Sequence, residues 1–356
     1  DGTPTDEMAA YYARRARGGV GLIITEGTYE QDAFQSRAYL SQPGITNASH
    51  QAGWAKVFDA VHQHDCKIIV QLMHGGRVSD PRVLNGQRPV SASATQSGGW
   101  SLYTDTDYEK QIRGIDGPWE KVTFGPARAL TIEEIHQVAD GFAAGARRAV
   151  DAGADGVEVH GANGYLLHEF MSAEFNQRSD QWGGTFLERL RMPLAVIAAV
   201  RAAVGEEFVV GMRLSQSMVC DGRLKWEGGE EQARQRFRVL ADAGLDYLHI
   251  TEPDARAPAF GEGPSLAAIA AGSVAIPVIG NGGIVTGEQA EALLGRGEMD
   301  LVAVGKAALA NNDWPQRIQQ GIELSDFDGS MFVPMATITN ELAWRNANDR
   351  PALRSN

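Results

Sequence analysis

Residues 131–160 read TIEEIHQVADGFAAGARRAVDAGADGVEVH, a capped amphipathic helix running into a short apolar strand. Thr131 suits the N-cap, and Glu134 stands three residues on, the spacing of a capping box. Ile135, Val138, Phe142 and Ala146 recur every three or four residues and mark one buried face. Gly156-Val157-Glu158-Val159-His160 then has the length and character of a strand.

The same unit repeats on both sides. Upstream, residues 3–17 read as a helix with Thr3 as cap, Pro4 in the first turn, Asp6 at capping-box spacing and Gly18-Gly19 as the stop. The strand at 20–25 follows at once, apolar on both faces as a parallel strand covered by helices must be. A helix at 54–64 precedes a strand at 67–72. Downstream, strands are expected at 208–214, 247–251, 277–280 and 301–304, with helices at 186–204, 230–243, 265–271 and 287–294. Such alternation means βαβ crossovers and a parallel sheet. A doubly wound sheet and a closed barrel both fit it. Polar candidates at the C-terminal ends of many strands, and no GxGxxG in a first βα turn, favour a single-domain (β/α)₈ TIM barrel over 1–356. Seven strands are legible where a barrel needs eight, so the first is expected upstream of Asp1. Residues 332–337 are a poor substitute because Pro334 cannot donate to a central ladder. Residues 77–129, after the third barrel strand, form a long irregular stretch with Pro81, Pro89, Pro118, Pro126, Trp100 and Tyr103. It reads as a lid insertion covering substrate, or as a plug for one barrel end.

Composition narrows the function. The net charge is −13 and no window is dense in Lys or Arg, which argues against nucleic acid as a partner. No apolar run approaches a membrane span, and Cys66 and Cys220 form no CxxC, so neither a membrane nor a thiolate metal site is expected. The default setting is cytoplasmic, as a monomer or homodimer. HExxH, Walker A and GxSxG motifs are absent.

His160-Gly161-Ala162-Asn163-Gly164-Tyr165 closes a strand and opens the following loop, where barrel enzymes keep catalytic groups. His160 and Asn163 offer hydrogen bonds to an oxygen gaining negative charge, and Tyr165 a phenolic proton. Each alone is commonly a packing residue; three donors in six positions at a strand end point to chemistry. At the last two strand ends, Asn281-Gly282-Gly283 and Gly305-Lys306 combine bare backbone N–H groups with one cation, which suits a phosphate.

The run 160–170 resembles the substrate-binding signature of the old yellow enzyme family. Residues 21–27 (GLIITEG) resemble that family's second strand, 71–77 (QLMHGGR) its third strand and turn, and 211–215 (GMRLS) its fifth strand. Residues 178–184 (RSDQWGG) resemble its RxDxYGG stretch, with Trp182 in place of Tyr. The resemblance implies non-covalent FMN over the barrel mouth. Gln71 would bind the pyrimidine edge of the flavin, Arg213 would lie near N1 and the C2 carbonyl, and Gly27 would admit close backbone approach. Lys306 stands where the family usually has Arg, so a point charge replaces a bidentate fork at the phosphate. The expected activity is reduction of activated alkenes, α,β-unsaturated carbonyls or nitroalkenes, by NADH or NADPH through the flavin. An amine dehydrogenase or demethylase on the same barrel, a flavin-free lyase or isomerase, and a non-catalytic binding protein are the alternatives. His74 is expected to be structural, and Arg77 to serve the flavin, the lid or a surface ion pair.

Overall fold

The computed structural model describes residues 1–33, 36–98, 123–219, 225–332 and 336–347. Its strands are β1 (Leu22–Ile24), β2 (Thr28–Tyr29), β3 (Lys67–Met73), β4 (Val90–Ser91), β5 (Arg128–Ala129), β6 (Gly156–Asn163), β7 (Val209–Met218), β8 (Tyr247–Thr251), β9 (Pro258–Phe260), β10 (Glu262–Ser265), β11 (Val278–Asn281) and β12 (Leu301–Ala303). The main sheet runs β1-β3-β6-β7-β8-β11-β12, every neighbour parallel, with β2 extending the edge beside β3. These seven path strands are the seven legible in the sequence. Among the described residues, β1 and β12 are not paired with each other.

Two apolar layers hold this wall. The larger lies between strands and helices, where Trp54, Phe58, Phe142 and Phe237 are fully buried. Each contributes about 2–3 kcal/mol by leaving water. The smaller lies inside the wall: Ile69, Tyr247 and Ile279 pack with Leu22, Ile24 and Ala303 at its lower end. Above that layer the inner face carries Gln71, Glu158, His160, Arg213, His249 and Thr251.

The helix Ile132–Ala152 has the expected Thr131–Glu134 capping box and packs on the helix Arg191–Val204. Local boundaries differ elsewhere. Thr5, not Thr3, caps the first helix (Asp6–Arg17), accepting from Met8 N–H; Thr3 instead donates its N–H to the Asp1 carboxylate. The second helix starts at Ala48, six residues early, because Asn47 caps it through His50 N–H. The helix expected at 186–204 is two, Phe186–Arg189 and Arg191–Val204. Pro193 lacks the N–H that a continuous helix would use, but suits the first turn of a new one.

The 77–129 stretch is structured at its roots. Short 3₁₀ turns occupy Gly76–Val78 and Pro81–Val83, and β4 pairs in parallel with β5. Arg178 braces both roots, donating through Nη1 to the carbonyls of Ala92 (2.9 Å) and Leu130 (2.7 Å) while its other nitrogens grip Asp180. That is the structural use of the RSDQWGG stretch. Trp100 and Tyr103 lie outside the described residues, as does Cys220.

Candidate active site

Strand register assembles the site. His160 lies beside Arg213, and Arg213 beside His249; one level down, Gln71 lies beside Glu158. Side chains two apart on a strand share a face, so these residues form stacked polar rings inside the wall.

The lower ring centres on Glu158, which is 0% exposed. Gln71 Nε2 donates to its Oε1 at 2.7 Å, and the Tyr247 hydroxyl and His249 Nδ1 donate to its Oε2 at 3.0 and 2.9 Å. Gly211 makes the room: a Cβ there would run into the Tyr247 ring. Burial alone would raise the Glu158 pKa, but His249 beside it, the Arg213 charge and the Gln71 hydrogen bond outweigh that and hold it at about 2. Burial lowers the His249 pKa against the pull of Glu158. Glu158 is therefore a carboxylate, accepting from the His249 Nδ1–H.

The upper ring carries the sequence-predicted groups. The His160 ring meets Tyr165 edge-on at 5.0 Å between centroids. Its Nδ1 accepts from Ala162 N–H at 3.2 Å, which leaves the proton on Nε2, and Nε2 has no partner among the described residues. Burial, then the Arg213 charge, depress the His160 pKa to about 3. At neutral pH it is an uncharged donor.

Asn163 is three residues further along, which in a regular strand would face it away from His160. The β6–β7 register shifts between Gly161 and Asn163, and Asn163 adopts φ 62. This bulge brings Asn163 to Ser215: its N–H donates to Ser215 Oγ at 2.9 Å, and its Oδ1 lies 3.5 Å from the same oxygen. Asn163 Nδ2 has no partner among the described residues.

Arg213 Nη2 donates to Thr251 Oγ1 (3.1 Å), Thr251 donates to Asn281 Oδ1 (2.8 Å), and Asn281 Nδ2 donates to the Ala303 carbonyl (2.8 Å). The relay crosses the ends of β7, β8, β11 and β12. Asn281, expected at the phosphate, is thus committed to tying strand ends together. Gly282, at φ +141, abuts the Glu252 carbonyl where a Cβ would collide, while Gly283, Gly305 and Lys306 are exposed.

A Cβ at Gly27 would strike Met73 Sδ, so the backbone there packs closely on that side chain. Arg77 forms no surface pair: it is 0% exposed, 3.9 Å from Glu169, and lies over the Phe175 ring at 3.6 Å. His74 is buried, its Nδ1 accepting from Gly76 N–H. Sequence reading missed Glu158, Ser215, His249 and Thr251. The signal available was polar residues set on alternate positions within apolar strands.

The donor and acceptor set fits a flavin. Gln71 Oε1, His160 Nε2 and Asn163 Nδ2 have no partner among the described residues, and Arg213 Nε is buried without one. They ring a cation suited to an anionic heterocycle, with exposed Gly283 two strands away and exposed Gly305 and Lys306 three strands away. Among the described residues no acidic, His or Cys cluster could hold a metal, and no helix is long and apolar enough to cross a membrane.

Comparison with known proteins agrees with this geometry. The chain belongs to the NADH:flavin oxidoreductase / NADH oxidase family, whose profile matches residues 1–325; this is the family of old yellow enzyme. It is 34% identical over 330 residues to an NADH oxidase of Thermoanaerobacter brockii, covering 90% of this chain and 46% of that one. It is 33% identical over 339 residues to a putative 12-oxophytodienoate reductase 5 of Oryza sativa subsp. japonica, covering 92% and 82%. Morphinone reductase solved in complex with tetrahydroNAD superposes with a TM-score of 0.82 at 32% identity, covering 100% of this chain and 90% of that chain. The chain thus spans less than half of the bacterial oxidase but most of the plant and morphinone reductases. The family is one of flavin oxidoreductases by its name, and these relatives are named as an oxidase and reductases.

Proposed function

We propose that this chain reduces activated C=C bonds, with FMN held by Gln71, Arg213, Gly283, Gly305 and Lys306 and with NADH or NADPH as reductant. When bound, the flavin would supply hydride transfer from the nicotinamide to the alkene β-carbon. The observation that carries the reading is the neutral His160 donor on the same strand end as Asn163, where the β6–β7 register shifts. Both direct N–H groups at one acceptor, the oxygen of an enone or nitro group. Neutrality matters, because an imidazolium here would compete with Arg213 for negative charge. Tyr165 stacks edge-on to His160 and supplies the α-carbon proton. Residues 77–129 form the lid over this site, rooted by β4 and β5, within one domain spanning 1–356.

The experiment is Tyr165→Phe, with the two half-reactions followed anaerobically. Enone reduction should slow much more than flavin reduction by NADPH; equal slowing would remove Tyr165 as the proton donor. We further infer an eighth parallel strand between β1 and β12, where Leu301 stands 42% exposed at an open ladder edge. A longer chain carrying that strand should bind FMN more tightly than residues 1–356. Equal affinity would sink the inference.

A further inference from the structure

Glu158 touches no solvent and no group so far given a step in the chemistry, yet three side chains converge on it. An ionised carboxylate can only accept, so each neighbour must turn a donor toward it. For Tyr247 and His249 this selects a rotor and a tautomer. For Gln71 it selects which end of the amide faces inward, because the two ends have nearly the same shape and only the neighbours distinguish them. With Nε2 committed to Glu158 at 2.7 Å, the carbonyl Oε1 is the end left over, and it takes no hydrogen bond from the described residues.

We propose that Glu158 is a positioning residue that holds Gln71 with its carbonyl presented, so that the site accepts a ring N–H at that place and rejects a ring acceptor or an alkylated nitrogen. The inference rests on the reading of Gln71 as a ligand of the flavin pyrimidine edge, whose imide N3–H is the matching donor. The neighbours support it as a unit. Gly211 leaves space for the Tyr247 ring, and Tyr247 and His249 together fill Oε2, so Oε1 is left to Gln71. Glutamine at 158 would lose this authority, since an amide can donate to Oε1 of Gln71 as readily as accept from its Nε2.

The test is equilibrium titration of the flavin-free chain with FMN and with N3-methyl-FMN, read by flavin fluorescence. The wild type should prefer FMN by about tenfold or more, the effect of an acceptor left unpaired. Glu158→Gln should shrink that preference at least threefold (about 0.65 kcal/mol), with unchanged far-UV circular dichroism. The exchanged pair Gln71→Glu with Glu158→Gln keeps one carboxylate and one amide in the same pocket, and should restore the preference because position 71 is again an obligate acceptor. A wild type without preference would overturn the assignment of Gln71 itself. A wild type with preference, retained in full by Glu158→Gln or missing from the exchanged pair, would overturn the role of Glu158 alone.

Discussion

Replacing His160 by Phe isolates the one donor on which the proposed chemistry leans. Phenylalanine keeps a ring against Tyr165, whose centroid is 5.0 Å away, and removes Nε2–H. Losing one donor to a developing oxyanion lowers the rate by about 10²–10³. The loss should fall on the step in which the enone oxygen gains charge, and much less on flavin reduction, where the nicotinamide develops no such charge. The assay is anaerobic stopped flow: pre-reduced enzyme is mixed with 2-cyclohexenone and flavin reoxidation is followed. His160→Asn, which retains a donor, should recover part of the rate. Because the His160 pKa is held at about 3, the wild-type step should show no titration of this group from about pH 5 to 9. Its stability contribution has the opposite sign from an ion-paired histidine. The unfolded imidazole protonates near its ordinary value of 6.5 and the folded one near 3, so the stabilisation is full above 6.5 and lost as pH falls toward 3. At pH 5 that is about 2 kcal/mol, a dependence His160→Phe should lack. A rate loss below threefold, or a wild-type rate that titrates near pH 6–7 and ceases to do so in His160→Phe, would refute the neutral-donor reasoning.

Two other outcomes follow from the surrounding network. Thr251→Val breaks the relay from Arg213 to Asn281 without changing side-chain shape, and should weaken FMN binding several-fold while Thr251→Ser does not; fluorescence titration of both variants decides it. Glu30 is buried with Oε2 accepting from Ser36, and burial raises its pKa to about 8, so its folded-state advantage exists below the ordinary carboxyl pKa and is lost as pH rises toward 8. Glu30→Gln should therefore raise stability by about 3 kcal/mol at pH 7 and change little at pH 4.5, as read from urea denaturation at both pH values.

The class of fold was legible because each unit announces itself locally. The Thr131–Glu134 box, the 3.6-residue stripe through Phe142 and the runs around β3, β6 and β8 need no tertiary context, since capping and burial periodicity are written in neighbouring residues. The His160–Tyr165 cluster was legible for the same reason. Boundaries slipped where competing caps lay close together, as with Thr3 and Thr5, or where a proline such as Pro193 served a second helix instead of interrupting one.

What only the tertiary structure decided is which polar groups meet. Asn163 is brought to Ser215 because the β6–β7 register slips between Gly161 and Asn163, with the extra residues on β7, and nothing local requires that slip. Asn281 looks from sequence like a phosphate ligand, yet cross-strand register delivers it to Thr251 and Ala303. Gly27 and Gly211 are small because of Met73 and Tyr247, residues 46 and 36 positions away in the chain. Glu158 shows the reason most clearly. Its neighbours in sequence are Val157 and Val159, while its hydrogen-bond partners and its influence on Gln71 come from two other strands, β3 and β8. Periodicity determines which face a residue occupies; register across strands determines what it finds there.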